Sequence, residues 1–417
     1  MLAMSGRVTM LGISRWTSTG GSYRTMLRFF HTVIPWATLF WLFFRKHLFR
    51  VNEVYLLAGD EVVIGKSGKQ TYGLDRFFSS LVSKPISGLS FFTLSLVSVG
   101  QRHSFPIQIE QVIKSNIEKI SPSPTKEIKQ KEKRGRGRPK GSKNKNKTEV
   151  IFTSELLRIQ KMIKSLFKLL AKFIPLAYLV LDGYFGNNNA LQMARQVKLH
   201  IISKLRYDSA LYIPYQNPDP NCRSRRKYGD KLDYYNIPEE YLCKSIIEED
   251  IKTDIYQATL LHKEFAQALN IVILVKTNLK TNARSHVILF SSDLKLSSEK
   301  IIDYYKLRFQ IEFNFRDAKQ FWGLEDFMNL SQTAVTNAAN LAFFMVNLSH
   351  HQLLNFRQHN PDSGIIDLKA HYRGFRYVRE ILKMLPEIPE PILLTQIFAK
   401  LTSLGRIHPV STGVEPS

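Results

Sequence analysis

The chain has 417 residues, 44% hydrophobic and 23% charged, which excludes a wholly disordered or fibrous protein and is too long for one compact core. Lysine and arginine number 59 against 35 aspartates and glutamates, and the resulting +24 repels itself unless a polyanion neutralises it, nucleic acid being the commonest. Two cysteines, Cys222 and Cys243, exclude a disulfide scaffold and cannot alone complete a zinc site, so a reducing cytoplasm is expected.

The first 15 residues hold no apolar run of the length a secretory signal needs. Residues 29–44 (FFHTVIPWATLFWLFF) are uncharged, but 16 residues with Pro35 among them fall short of the roughly 20 that span a bilayer. A buried helix pair is expected there, and no membrane partner. Arg7, Arg15, Arg24 and Arg28 stand among apolar residues, a pattern that suits small DNA-reading helices. Strand-length apolar runs follow at 54–58, 61–64 and 89–99, separated by turn signals at Gly65, Ser67-Gly68 and residues 85–88.

Residues 121–147 (SPSPTKEIKQKEKRGRGRPKGSKNKNK) have one aliphatic side chain, Ile128, and cannot bury a core. Eleven Lys and Arg against two Glu put +9 here, leaving +15 on the rest, so the folded parts are expected to be basic too. The segment reads as a mobile basic linker inside the fold. Beyond it, residues 154–173 carry apolar side chains at helical spacing and Pro175 follows. Residues 176–181 form a short apolar strand, 189–197 a helix and 199–205 another strand. Strand, long helix, apolar strand is the pattern of parallel neighbours joined by crossovers, hence an α/β core. Residues 207–297, rich first in Tyr, Pro and Asn and then in β-formers, read as a mostly β insertion. Helical patterns return at 298–321 and 334–356, and no internal repeat is present.

In the stretch SEKIIDYYKLRFQIEFNFRDAKQF, residues 298–321, Tyr304, Leu307, Ile311, Phe315 and Ala318 make one apolar stripe, and Ser298 is a suitable cap. Asp303, Lys306, Gln310, Asn314 and Asp317 read as a solvated face. A third line holds Tyr305, Arg308, Glu312 and Lys319, which at about 100° per residue fall within roughly 60° of arc. From spacing alone, an ordinary amphipathic helix with an Arg308–Glu312 pair explains this equally well. Two further carboxylates favour a site. Asp60 interrupts an otherwise apolar strand, where an unpaired charge is costly. Asp182 ends the second apolar strand before Gly183, and the carboxyl ends of strands in an open α/β sheet are where ligands bind. Two strand aspartates and a helix glutamate on a basic protein suggest an oxygen-ligand site for Mg²⁺, because a divalent ion relieves the repulsion among close carboxylates. Plain turn and hairpin roles remain open for Asp182 and Asp60.

The order Tyr305-x2-Arg308-x3-Glu312-x6-Lys319 resembles the YREK signature of bacterial insertion-sequence transposases of family four. LAGDEVVIGKSGKQTYGLDRFFSS and LVLDGYFGN are similar to the segments around that family's first and second catalytic aspartates, and the likeness runs from about residue 18 to 356. The resemblance implies a DDE transposase with an RNase H-like core: a mixed central sheet flanked by helices, with the β insertion before the glutamate helix. It implies that Asp60, Asp182 and Glu312 are catalytic and hold two Mg²⁺ ions, with Mn²⁺ as a substitute. Tyr305, Arg308 and Lys319 would contact DNA phosphates. The implied partners are double-stranded DNA, namely terminal inverted repeats and target, and a second copy in a homodimer. The implied location is the bacterial cytoplasm, at the nucleoid. An RNase H-like nuclease without strand transfer and an inactive DNA-binding remnant are the alternatives.

The expected organisation is a helical DNA-binding region at 1–50, read as truncated, and the first part of the core at 51–205, with the linker 121–147 inside it. The insertion at 206–297 and the second part of the core at 298–356 follow, then a helical region at 357–417, a candidate dimerisation surface. The insertion has no Trp, so any stacking on an unpaired base there falls to a Tyr or Phe. Arg136-Gly137-Arg138-Pro139 resembles an AT-hook core, although a generic polybasic tether explains it as well; either way Arg136 and Arg138 are expected to add salt-dependent DNA affinity. GDEVVIGKS at 59–67 has five residues between its glycines and reads as strand, so it is not a phosphate-binding P-loop, and Lys66 is expected to reach DNA phosphate. His350 and His351 are expected to pack or cap rather than ligate together.

Overall fold

The computed structural model describes residues 1–17, 21–79, 82–114, 146–171, 173–215 and 226–408. The linker residues 121–145, with Arg136 and Arg138, lie outside the described residues.

The first strand, β1 (Tyr55–Gly65), joins the two apolar runs at 54–58 and 61–64 into one element, with Asp60 at its middle. β2 (Asp75–Ser79) and β3 (Lys84–Ser98) follow, then β4 (His103–Val112). β1 and β3 run antiparallel with Asp60 opposite Thr93, and β2 and β4 both pair with β3. Gly59 permits the close approach of these layers, since a Cβ there would meet the Phe92 ring at 2.8 Å and Leu181 at 3.1 Å. The helix Ser154–Leu170 then carries the chain to β5 (Tyr178–Val180), and the helix Asn188–Gln196 carries it on to β6 (His200–Leu205). β5 lies parallel to both β1 and β6. The order β4-β3-β1-β5-β6, with β3 alone running against the other four strands, is the expected RNase H-like core. The first crossover helix ends at Leu170, with Ala171 left-handed, four residues before Pro175.

The insertion does not form a separate sheet. β7 (Leu211–Pro214), β8 (Tyr228–Lys231), β9 (Leu242–Glu248), β10 (Ile251–His262), β11 (Leu269–Asn278) and β12 (Arg284–Ser291) extend the core sheet through the antiparallel pairing of β12 with β6. Twelve described strands thus share one sheet.

The helix Trp36–His47 supplies Trp36, Phe40, Trp41 and Phe44 to the core, against the long helix Gln332–Arg357. It meets the helix Tyr23–His31 at a bend of 99°, and among the described residues no single helix is long and apolar enough to cross a membrane. Asn337 holds the bend. Its Nδ2 donates to the carbonyls of Phe30 and Thr32 at 2.8 Å, and its Oδ1 accepts the Trp36 indole N–H at 2.7 Å. The four arginines of this N-terminal region are exposed. The helices Ile365–Leu382 and Pro391–Ser403 close the chain, and the buried Asp367 carboxylate anchors the segment after them by accepting the Ile407 and His408 N–H groups.

Asn337→Leu leaves a buried indole N–H, the buried Phe30 carbonyl and the Thr32 carbonyl without this partner. At roughly 1–3 kcal/mol for an unsatisfied buried group, it is expected to cost at least about 2 kcal/mol in urea unfolding. A change below about 0.5 kcal/mol would show that the bend stands without this clamp.

Candidate active site

The helical pattern at 298–321 is two helices, Ser298–Leu307 and Gln310–Trp322. Arg308 and Phe309 keep right-handed helical angles, but the hydrogen bonds tighten to three-residue closures: Phe309 N–H to Lys306 O, Ile311 N–H to Arg308 O and Glu312 N–H to Phe309 O. Hydrophobic periodicity cannot register this, because the stripe Tyr304, Leu307, Ile311, Phe315 and Ala318 stays buried on both sides of the break. The cap is Ser297 rather than Ser298, whose backbone N–H donates to Gln257. Asn314, expected on the solvated face, is buried, with Nδ2 on Ser104 Oγ at 2.9 Å. Gly323, at φ +77°, ends the second helix.

The break aims Arg308 at the sheet. Its Nη1 donates to Asp60 Oδ2, and its Nη2 stands 3.8 Å from Glu312 Oε1. The Arg308 side chain is only 14% exposed, and its guanidinium lies 6.0 Å from the centre of the Tyr305 ring. The other Asp60 oxygen accepts the Glu61 backbone N–H at 2.8 Å. Asp182 follows β5 and caps the short turn Gly183–Phe185, accepting the Tyr184 N–H, while Ser203 Oγ donates to its carbonyl at 2.6 Å. The loop after one parallel strand, the middle of its neighbour and the first turn of a crossing helix therefore face one another.

Burial raises the Asp60 carboxyl to about 6, against the opposing pull of Arg308, and the charges of Asp182 and Glu312 raise it further. Burial also raises Asp182 and Glu312, and Arg308 opposes both. All three carboxylates thus share one field, with Arg308 the cation that acts on each. Tyr305, half-buried beside them, is raised by burial as well.

The remaining candidates stand apart from this contact. Lys319 Nζ donates to Val63 O at 3.0 Å and pairs with Glu325 at 3.1 Å, tying the helix to the end of β1. Lys66 is turned inward: its ammonium donates to the carbonyls of Glu325 and Phe327, lies 3.8 Å from the Phe327 ring centre, and is lowered by burial to about 8. An amine already committed to two carbonyls is a poor phosphate ligand, so the expectation for Lys66 is corrected to a structural role. His350 and His351 do not act together; His350 stacks on His103 at 3.7 Å and His351 faces His47.

Sequence reasoning missed Glu155. Burial raises it, and the nearby charges of Glu61 and Asp182 and a hydrogen bond with Tyr184 act on it, so the acidic field reaches the helix Ser154–Leu170. In sequence, a Glu just after a Thr cap reads only as a complement to the helix dipole. In the insertion, a cleft of about 750 Å³ is lined by Tyr207, Tyr234, Tyr235, Arg284 and His286, and the rings of Tyr207 and Tyr235 are exposed.

The donor chemistry of Asp60, Asp182 and Glu312 fits a hard divalent cation, since these are oxygen ligands whose charge the surroundings leave largely uncompensated. As they stand they are not a finished cage, and among the described residues no group of three or more His, Cys, Asp or Glu is placed to hold a metal.

A family model described as DDE superfamily endonuclease matches residues 1–266. That is more than half of the chain, and the chain belongs to this family. The match spans Asp60 and Asp182 and stops before the helices that carry Tyr305, Arg308 and Glu312. No curated protein matches the sequence significantly.

Because the Asp60 carboxyl is raised from 3.8 to about 6, its protonated form is favoured in the fold, and the metal-free protein should lose stability as pH rises from about 4 to about 6. Thermal unfolding in EDTA across this window is expected to show a falling Tm, and Asp60→Asn is expected to flatten that slope. An unchanged slope would place the titrating group elsewhere.

Proposed function

We propose that the protein is a DNA transposase of the YREK-signature insertion-sequence type, cutting the ends of its element and joining them to target DNA. The observation that carries this reading is the shared field of Asp60, Asp182 and Glu312 on an RNase H-like core in a member of the DDE superfamily endonucleases. The +24 charge suits a polyanionic substrate.

In this reading Asp60, Asp182 and Glu312 hold two divalent ions, Mg²⁺ or in its place Mn²⁺. When bound, such a pair supplies Lewis-acid stabilisation of the attacking and leaving oxygens. The carboxylates orient and need form no covalent bond with DNA. Water adds to the phosphorus at the element's end as the P–O3′ bond breaks, leaving a free 3′-hydroxyl. That hydroxyl then attacks a target phosphodiester and displaces the target's own 3′-oxygen, so one P–O bond forms for each that breaks. Arg308 can present a fork to a phosphate, Lys319 a point charge at the end of β1, and Tyr305 a hydroxyl donor. The homodimer, the nucleoid location and the roles of the flanking regions belong to the same proposal.

A strand-transfer assay with Mg²⁺ on a duplex bearing the element's end tests it: joined product supports the transposase reading. Cutting without joining would make the protein a nuclease, and a gel shift with no cutting would make it a binding remnant. Glu312→Gln is expected to lower cleavage by more than about a hundredfold, beyond the 10–100-fold typical of outer-shell partners, while binding to the end persists. If binding and cleavage disappear together, the substitution has damaged the fold and Glu312 loses its assigned role.

A further inference from the structure

We infer that Arg308 is an internal counter-cation that occupies the carboxylate site until a divalent ion displaces it, so that metal binding and release of this guanidinium are one event. The inference rests on the transposase reading of the site and adds a competition that the reading does not contain.

Three observations carry it. First, the guanidinium touches Asp60 with one terminal nitrogen and approaches Glu312 with the other, spanning two of the three proposed ligands. An ion bound between those carboxylates would lie within a few ångströms of a fixed positive charge that is itself largely shielded from water, where like charges repel. Second, among the described residues these carboxylates are not gathered into a ligand set, and Arg308 is paired with two of them. Arg308 stands where gathering would have to occur. Third, its hold is incomplete. The Nε–H is buried with no hydrogen-bond partner, so leaving costs less than it would for a fully satisfied guanidinium.

The local backbone suits such an exchange. Arg308 sits at the junction of the Ser298–Leu307 and Gln310–Trp322 helices, so its side chain can swing about its own torsions while the buried stripe on either side stays packed. Once displaced, the guanidinium needs another anion, and DNA phosphate is the one this protein would meet. Linkage then requires that DNA raise metal affinity and that metal raise DNA affinity by the same factor.

The test is Mn²⁺ titration of the full chain followed by electron paramagnetic resonance, with and without a short duplex and with a DNA-only blank subtracted. Arg308→Gln is expected to bind Mn²⁺ at least tenfold more tightly than the wild type without DNA. Duplex should strengthen Mn²⁺ binding to the wild type but not to Arg308→Gln. Arg308→Lys, which keeps a cation without the fork, should fall between them, and it serves as the comparison if the Gln variant does not fold. Equal or weaker Mn²⁺ binding by the folded variants would overturn the competition while leaving the transposase reading intact. If wild type and variants alike bind no Mn²⁺, with or without DNA, the carboxylate-site reading itself fails and takes this inference with it.

Discussion

Acidic side chains gathered where a sheet's central strands meet a crossing helix repel one another, and in this protein a single arginine restrains that repulsion. Arg308 contacts Asp60, approaches Glu312, and acts on Asp182 through its charge. The arrangement depends on several unconnected parts of the chain. β1 must run unbroken through Asp60, which Gly59 allows by leaving room for Phe92. β5 must end at Asp182, with Ser203 holding its carbonyl. The helical segment must break at Arg308 and Phe309 so that the guanidinium turns toward the sheet. Each is a small local feature, and their meeting is what makes the candidate site.

The electrostatic cost shows in the direction in which burial moves these groups. All three carboxylates, and Glu155 beyond them, are raised primarily by burial. A site that serves only stability would bring more cations to so many acids, or bury fewer of them. Perturbed carboxylates set close to one another beside a sheet are instead typical of sites where charge is held ready for a ligand or a substrate. Lys66 and Lys319 also brace the frame of the site. Both reach the segment around Glu325 and so pin the glutamate helix and the end of β1 together.

The insertion adds to the sheet without interrupting its core. β12 returns to pair with β6, so the β10–β11–β12 hairpins continue the surface on which the carboxylates sit. The cleft bearing Tyr207 and Tyr235 is therefore carried on strands continuous with the core sheet. At the opposite end of the chain, Asn337 and Asp367 do comparable work for the terminal helices, each satisfying backbone groups that irregular segments leave open.

The α/β class, the order of the core elements and the β nature of the insertion could all be read from the residues, while the grouping of Asp60, Asp182 and Glu312 into one catalytic site belongs to the proposed function. Apolar periodicity and isolated charges in apolar strands are local, and an alternating or helical pattern survives in one dimension. What could not be read were relations across space. The break at Arg308 keeps helical angles and a buried stripe, so the pattern hides it. Asn314 is polar yet buried, because Ser104 on β4 happens to face it. Lys66 points inward because two carbonyls more than 250 residues away converge on it. Glu155 joins the acidic field only because its helix packs beside Asp182. The sequence determined which groups carry charge and which surfaces must be buried; the tertiary structure alone decided which charges meet, since that depends on distances the chain order does not contain.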